Sequence, residues 1–526
     1  MILKRRYIFY LMTSLPESTP FRVIAKGAGI VFLGLAASKV LSFLYRLLIV
    51  HTYTVADYGL FSEGVAIISL LKTLSLFGMF LAVTRFVASF NARGNTVGVR
   101  KVISKTANYT VPASILLSAI LYVSSDQIAL FAFNEPQLGP FLRVFSLSLP
   151  FYSLSLLLAY YFTGLKMAKE QIALQEVIPS ALKLIVLACI WIIGFGSIGV
   201  ALSWTATYIL VAFTAIVAVR RTKPFSENAV GKPPGRLGWE IILFSAPVFV
   251  SDLVNTLMSY MGTIAVGLFD GVSMVGVYNA AVPMADMLML IPLSFTALFM
   301  PVITECYTLR RTRMANKVSR FVVKWVFLIN LMVFLPLAFF SPQILTAMFG
   351  EQYAQGWLAL SILAAGFMIN SLEVTATGIL LAIKKTRYIM FSMLTAATTC
   401  VMLSFYLVPV YGVVGAALAT AASFIVRTFV SIIVVWKLKG FNPFGIYVIR
   451  GLFAGSISLG AVYALHVLTS ASGLLAFAIL YLIFCAAYVI SLAVLRCFDE
   501  ADLEMIISAG KRVGVNLSFM EKVSKF

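Results

Sequence analysis

Several charged side chains of this sequence lie inside long apolar runs, away from bulk water. The stretch "KVLSFLYR" places Lys39 and Arg46 on the same side of a helix, and Lys72 and Lys183 lie in two further apolar runs. Isolated charges are costly in such places unless they are paired or face a water-filled cavity. We therefore expect a wet cavity that could hold a negatively charged group. Arg46 lies near the end of its run and could instead pair with Glu63.

The second half of the chain carries mainly acids in comparable positions. Asp252, Asp286 and Glu373 lie inside apolar runs, as does the base Arg427. Polar residues share a helical face with each of the four, which indicates a cavity or a seam between helices. The acids could bind a coupling proton or sodium ion, and we expect no other cofactor and no metal site. The alternative for each charged group is a buried ion pair or a snorkelling side chain.

The composition predicts that these side chains are positioned by membrane-spanning helices. The 526 residues are 61% hydrophobic and 11% charged, with a mean hydropathy of +0.99. A soluble domain cannot hide so much apolar surface from water. Apolar runs of roughly 20 residues, long enough to cross a bilayer as helices, recur along the chain. The net charge is +20, which in a soluble protein would suggest nucleic-acid binding. In a membrane protein the positions of the charges matter more than their sum, so we expect no nucleic-acid partner.

Fourteen apolar runs predict fourteen transmembrane helices, at approximately 26–50, 59–85, 106–124, 141–165, 175–194, 199–219, 240–268, 276–303, 322–341, 355–383, 388–408, 412–436, 444–468 and 473–495. The connections after even-numbered runs carry lysine or arginine, whereas those after odd-numbered runs carry neither. Because positively charged loops remain in the cytoplasm, this alternation predicts a cell-membrane protein with both termini cytoplasmic. Residues 1–25 would form a cytoplasmic lead-in, and 496–526 a tail with a short surface helix.

A weak internal repeat relates the two halves of the chain. "DYGLFSEGVAI" at 57–67 resembles "MVGVYNAAVPM" at 274–284, an offset of 217 residues. "GVALS" from Gly199 resembles "GAALA" from Gly415, an offset of 216 residues. Two matches at nearly the same offset favour a duplication, and an even number of helices per half gives both halves one orientation.

The repeat predicts the fold class and the domains. We expect an all-α membrane protein with one six-helix lobe at 26–219, a cytoplasmic linker at 220–240 and a second six-helix lobe at 241–436. A pseudo-two-fold axis along the membrane normal would relate the lobes, with a substrate path between them. Two additional helices at 444–495 include the GxxxG spacing at 451–455, a candidate close-packing face.

The sequence carries no motif of a known enzyme class. It contains no phosphate-binding G-x-x-x-x-G-K-[ST], no G-x-S-x-G, no H-E-x-x-H and no C-x-x-C. Its five cysteines are scattered, so we expect no disulfide framework. The connections are too short for the extramembrane sugar site of a membrane glycosyltransferase or polymerase. Enzyme activity is therefore disfavoured.

The second apolar run resembles that of polysaccharide-biosynthesis flippases, the Wzx-type proteins of the multidrug/oligosaccharidyl-lipid/polysaccharide exporter (MOP) superfamily. The resemblance is carried by Tyr58-Gly59 at the start of the run, Gly78 late in it, and Arg85-Phe86 at its predicted cytoplasmic end. Twelve core helices plus two, duplicated lobes and cytoplasmic termini also match this superfamily. The resemblance implies a MATE-like fold.

The resemblance also implies a function. The protein would turn a sugar oligomer on a polyprenyl phosphate or diphosphate from the cytoplasmic to the outer leaflet, by alternating access, for synthesis of a surface polysaccharide or glycan. Lys39, Arg46 and Lys72 occupy places comparable to essential cations of lipid II flippases and would hold the phosphate, with Lys183 and Arg427 as further candidates. Its partners would be the lipid-linked oligosaccharide, membrane lipids, and a glycan polymerase or glycosyltransferases, and we expect a monomer.

Two alternatives stay open. A cation-coupled multidrug exporter on the same fold carries organic cations and would need acidic residues in its first lobe, where this chain has mostly basic ones. A membrane glycan polymerase is the third hypothesis, and its loss would change polymer length while flipping stays intact.

Overall fold

The computed structural model describes residues 19–226, 231, 235, 237–443, 445–469 and 474–497. The helices of the first half are α1 (Thr19–Thr52), α2 (Val55–Leu76), α3 (Met79–Ala92), α4 (Thr96–Gln127), α5 (Leu138–Gly164), α6 (Ala168–Ile172), α7 (Ile178–Ile193), α8 (Ile198–Arg220) and α9 (Lys223–Ser226). Those of the second half are α10 (Leu237–Phe269), α11 (Val272–Asp286), α12 (Leu290–Thr308), α13 (Thr312–Phe339), α14 (Ser341–Phe349), α15 (Trp357–Ala382), α16 (Thr386–Lys439), α17 (Ile446–Thr469) and α18 (Leu474–Val494).

Four short segments interrupt or extend these helices. The π-helix Ile128–Ala132 extends α4, and a second π-helix, Ala173–Val177, joins α6 to α7. The 3₁₀ segment Met287–Met289 joins α11 to α12, and the 3₁₀ segment Glu351–Gly356 precedes α15. The predicted surface helix of the tail lies outside the described residues, as do residues 1–18 of the predicted lead-in.

The number of spans agrees with the prediction. Thirteen helices within the described ranges are long and apolar enough to cross a membrane. One of them, the 54-residue α16, leaves helical geometry at Gly412 (φ 52°, ψ −130°), a conformation that glycine adopts readily. Gly415 packs against the carbonyl of Leu407, a residue about 12 Å away in a straight helix. The chain therefore turns back at Gly412, and α16 supplies two of fourteen spans.

The second predicted run, 59–85, is broken into α2 and α3. Phe77 and Gly78 both adopt left-handed backbone conformations, with φ of 45° and 71°. A Cβ at Gly78 would lie 2.5 Å from the carbonyl oxygen of Ser245 in α10, so the break also allows close packing. The ring of Phe77 stacks on Phe249 of the same helix, with 4.7 Å between ring centroids. The prediction of one continuous helix is wrong here.

The two lobes meet along a seam between α2 and α11. Gly59 and Gly276, which the repeat offset of 217 makes equivalent, pack against each other there. A Cβ at Gly59 would collide with the carbonyl oxygen of Val272, and one at Gly276 with that of Val55. Equivalent glycines in contact are expected where a pseudo-two-fold axis passes, so the predicted two-lobe fold is confirmed.

The connections between helices differ in charge at the two ends of the bundle. The base-free end carries the connections 53–54, 133–137, 194–197 and 270–271, which contain no lysine or arginine. The basic end carries the connections 93–95, 165–167, 309–311 and 383–385, each of which contains at least one. The glycine seam lies close to the base-free end, because α2 and α11 both begin there.

The two additional helices attach to the second lobe. A Cβ at Gly451 of α17 would lie 2.8 Å from the side chain of Leu328 in α13, and Gly455 packs in the same way on Leu335. The hydroxyl of Tyr488 in α18 donates to the carbonyl of Leu328 at 3.1 Å. The GxxxG spacing therefore marks a close-packing face, turned toward α13.

The close packing of the seam can be tested at its two glycines. We expect Gly59→Ala and Gly276→Ala each to lower the stability of the protein by about 1–3 kcal/mol, because the added methyl group meets backbone that cannot rotate away. Thermal unfolding in detergent micelles measures the effect. Gly460→Ala is the matched control, since that exposed helical glycine has no heavy atom within 4 Å of an added Cβ. Equal midpoints for all three variants would contradict the tight seam.

Candidate functional site

A cavity of about 410 Å³ lies in the first lobe, and one of its walls is α10 of the second lobe. Five charged side chains line it: Arg46, Lys72, Glu176, Lys183 and Asp252. Half of the other lining residues are aromatic: Tyr45, Phe61, Phe80, Tyr152, Tyr160, Trp204, Tyr208 and Tyr260. The second lobe contributes Asp252 and Tyr260, so the cavity lies largely within one lobe, whereas the repeat in the sequence predicts a path between the two.

Helical spacing brings these residues together. On α1, Ser42, Tyr45 and Arg46 lie on one face because they are three and four residues apart. On α7, Ser180 and Lys183 are three residues apart and face the same space. The π-helix before α7 adds a residue to one turn and brings Glu176 to the cavity wall.

Arg46 is held at the boundary between the cavity and the seam. Its Nη1 donates to the hydroxyl of Tyr58 at 2.9 Å, and that hydroxyl donates to the carbonyl of Asn279 at 2.9 Å. Tyr58 belongs to α2 and Asn279 to α11, so this chain of hydrogen bonds links the cavity to the contact between the lobes.

The predicted pair between Arg46 and Glu63 is wrong. Glu63 is fully buried, and neither of its carboxyl oxygens has a hydrogen-bond partner among the described residues. It packs against Gly267 of α10, where a Cβ would collide with Oε2. The prediction fails because the two side chains point in different directions. Arg46 points toward Tyr58, and Glu63 points toward the other lobe.

The two lysines of the cavity lie against aromatic rings. The ammonium of Lys183 lies 3.9 Å from the ring centroid of Trp204 and 5.1 Å from that of Tyr208. The ammonium of Lys72 lies 5.7 Å from the ring centroid of Tyr152. Cations within about 6 Å of an aromatic face are attracted by the ring quadrupole. These contacts solvate the lysines partly and hold them at the cavity wall.

The two acids of the cavity have different surroundings. Glu176 accepts a hydrogen bond from the hydroxyl of Ser38 at 3.2 Å, and it attracts Lys183 electrostatically. Asp252 attracts Lys72 across the boundary between the lobes. The charged lining therefore mixes both signs, with three bases and two acids in one space.

The other predicted site residues lie outside the cavity lining. Lys39 and Asp286 form an ion pair with 2.5 Å between Nζ and Oδ2, which joins α1 to α11. In the second lobe, Nε of Arg427 lies 3.5 Å from Oε1 of Glu373, and Thr377 donates a hydrogen bond to that carboxylate. Phosphate binding by Lys39 and Arg427 and ion coupling by Asp286 and Glu373 stay predictions. In this structure each of these side chains is engaged by an opposite charge.

Sequence reasoning missed Glu176 and the aromatic wall. Glu176, Ser180 and Lys183 follow a spacing of four and three residues, and Trp204 and Tyr208 a spacing of four. Both spacings mark one helical face and could have indicated a common wall. The signal was weak because Glu176 stands at the very start of its apolar run, where a carboxylate usually meets water.

Two family models match this chain. Residues 24–306 match the family model described as "Polysaccharide biosynthesis protein", and residues 247–407 match the MatE model. The first match spans more than half of the chain. The chain therefore belongs to the polysaccharide biosynthesis protein family, as the residues of its second run predict.

Two curated relatives are archaeal. An uncharacterized membrane protein of Methanocaldococcus jannaschii is 21% identical over 407 residues, which cover 73% of this chain and 78% of the relative. The probable low-salt glycan biosynthesis flippase Agl15 of Haloferax volcanii is 23% identical over 202 residues. That match covers 38% of this chain and 43% of the relative.

Solved structures share the fold at low sequence identity. The lipid II flippase MurJ in an inward closed conformation has a TM-score of 0.69 at 16% identity, covering 88% of this chain and 98% of that one. An inward-facing multidrug resistance MATE transporter of the MOP superfamily has a TM-score of 0.58 at 13% identity, covering 81% and 96%. The protein is therefore a multi-pass membrane protein with the fold of MOP superfamily transporters.

The ion pair between α1 and α11 can be tested by a double-mutant cycle. We expect Lys39→Gln and Asp286→Asn to be non-additive in thermal unfolding, with a coupling energy of about 0.2–1 kcal/mol, because both side chains are only partly buried. The charge-exchanged variant, Lys39→Asp with Asp286→Lys, should recover most of the loss. The pair Arg143–Asp126 near the base-free end, which lies within one lobe, is the matched control. Strict additivity at Lys39 and Asp286 would show that the pair does not form.

Proposed function

We propose that this protein is a flippase that moves an oligosaccharide linked to a polyprenyl phosphate or diphosphate from the cytoplasmic to the outer leaflet. The observation that carries the proposal is the convergence of Arg46, Lys72 and Lys183 on one cavity. The protein acts as a transporter rather than an enzyme, and its cargo serves the synthesis of a surface polysaccharide or glycan.

The electrostatics of the cavity support an anionic ligand. Arg46 and Lys183 are close enough to repel each other, and both line the same space. An anion bound between two cations relieves their repulsion and gains charge-assisted hydrogen bonds. A phosphate or diphosphate headgroup has the required charge. Two of the proteins that this chain resembles are flippases by name: the lipid II flippase MurJ in fold, and the probable low-salt glycan biosynthesis flippase Agl15 in sequence.

Alternating access would follow from the connection between the cavity and the seam. A phosphate that takes up the guanidinium of Arg46 competes with the hydroxyl of Tyr58 for the same donor. Tyr58 also bonds the backbone of α11 through Asn279, so binding in the cavity changes a contact between the lobes. A ligand that interacts differently with two arrangements shifts the balance between them.

The orientation and partners belong to the same proposal. The basic end would face the cytoplasm, because lysine- and arginine-rich connections are retained there. The cargo would come from glycosyltransferases on that side and would pass to a glycan polymerase or transferase outside. Asp252, which lines the cavity, is the candidate for a coupling proton or sodium ion, whereas Asp286 and Glu373 would first have to leave their ion pairs.

A cation exporter is the second candidate. The acids Glu176 and Asp252 in the cavity favour it, as does the match of residues 247–407 to the MatE model. Three bases in the same lining oppose it, because an organic cation would be repelled by them. Transport of ethidium by the unmodified protein in proteoliposomes, with no movement of a lipid-linked sugar, would establish the exporter instead.

Neutralising two cavity cations tests the flippase. We expect the double variant Arg46→Gln/Lys72→Gln to slow flipping by at least about tenfold, because two charge-assisted contacts with the phosphate are lost. The assay follows a fluorescent polyprenyl diphosphate-linked N-acetylglucosamine in proteoliposomes, with a membrane-impermeant quencher added outside.

The control for this experiment is Arg143→Gln. It removes a cation that is paired with Asp126 and does not line the cavity. Wild-type rates in both the double variant and the control would reject the phosphate role. Slow flipping in the double variant alone, with normal protein levels in the membrane, is the expected result.

A further inference from the structure

Three aromatic side chains of the cavity form one continuous cluster. The ring centroids of Tyr152 and Tyr208 are 4.1 Å apart, those of Trp204 and Tyr208 5.0 Å, and those of Tyr152 and Trp204 6.2 Å. We call Tyr152, Trp204 and Tyr208 the aromatic box. Its members come from α5 and α8, so the box is built by two helices of the first lobe.

An ammonium of the protein itself occupies the aromatic box. Lys183 Nζ lies 3.9 Å from the Trp204 centroid, the position that a bound cation would take over that ring. The same ammonium lies 5.1 Å from Tyr208, while Lys72 approaches Tyr152 from its own helix at 5.7 Å. The aromatic faces are therefore engaged by side chains rather than left free for a ligand.

The remaining lining would suit a positively charged ligand. Clusters of aromatic rings recognise organic ammonium groups, and nearby carboxylates add electrostatic attraction. Glu176 and Asp252 supply two carboxylates in the same cavity. With Arg46, Lys72 and Lys183 the formal charge of the lining is +1, and without Lys183 it is zero.

We propose that Lys183 is a built-in occupant of the aromatic box that excludes organic cations and so sets the charge selectivity of the cavity. Removing its ammonium turns the box into a binding site for lipophilic cations. The inference deepens the proposed function and rests on it, because a flippase for an anionic headgroup must exclude cations from its cavity. It assigns Lys183 a specificity role that is separate from holding phosphate.

The experiment measures ethidium binding to the purified full-length chain by the rise in ethidium fluorescence. We expect Lys183→Ala to bind ethidium at least about tenfold more tightly than the wild type, because one cation leaves the rings and another takes its place. Lys183→Arg keeps a cation on the rings and should bind as weakly as the wild type. Adding Trp204→Leu to Lys183→Ala should abolish the gain.

A matched control separates the box from the net charge. Lys72→Ala removes the same charge from the same cavity and uncovers only Tyr152, because Lys183 stays on Trp204. Its affinity for ethidium should rise less than that of Lys183→Ala. Equal gains in the two variants would show that the sum of charges alone sets selectivity and would overturn the role of Lys183.

A cysteine variant keeps the test decisive if Lys183→Ala does not fold. Lys183→Cys in a Cys189→Ser background, which removes an exposed thiol, should bind ethidium. Reaction with 2-aminoethyl methanethiosulfonate then rebuilds an ammonium at position 183 and should abolish binding in the same sample. Binding that persists after this reaction would contradict the inference.

The outcomes distinguish this inference from the proposed function. Sugar flipping by the wild type with no gain of ethidium binding in either variant overturns the role of Lys183 alone. A gain of ethidium binding with no flipping by the wild type overturns the proposed cargo and leaves Lys183 as the selectivity residue. Tight ethidium binding by the wild type overturns the inference, because the box would then be open.

Discussion

Charges inside an apolar helical bundle must be solvated by the protein, because lipid offers them neither hydrogen bonds nor counter-charges. Three of the bases show how the protein supplies a partner: a hydroxyl, an aromatic ring or a carboxylate. Arg46 donates to a tyrosine hydroxyl, Lys183 lies on an indole, and Lys39 pairs with Asp286. Those partners come from other helices. Solvating the charges therefore also determines which helices pack together and where the bundle leaves a cavity.

The same constraint explains where the helices are irregular. Non-helical backbone at membrane depth is tolerated only where it is buried in protein or lines a cavity. The break at Phe77 and Gly78 packs on α10, and the π-helix at Ala173–Val177 brings Glu176 to the cavity. The 3₁₀ segment Met287–Met289 begins directly after Asp286, the partner of Lys39. These three irregular segments thus lie where the first lobe meets the second or surrounds the cavity.

The seam and the cavity are parts of one system. Gly59 and Gly276 let the backbones of α2 and α11 approach closely near the base-free end. Tyr58, the residue before Gly59, bonds both Arg46 in the cavity and the backbone of Asn279 across the seam. Glu63, one helical turn further along α2, is buried against the other lobe without a hydrogen-bond partner. The contact with the cavity base Arg46 and the contacts between the lobes therefore share the same short segment of α2.

The sequence alone indicated the membrane class, the fourteen spans and the duplication, because apolar length, loop charge and repeat offset can be read from the order of residues without the fold. It also identified three cavity bases and Asp252, since an isolated charge in an apolar run is visible without any structure. Only the tertiary structure decided which charges pair. Lys39 and Asp286 are 247 residues apart, and Arg46 prefers Tyr58 to Glu63, outcomes that depend on side-chain direction across helices. The break at Phe77, the position of Glu176 and the aromatic box were likewise decided by packing between helices. Local spacing shows which residues share a helical face but not which helix that face meets.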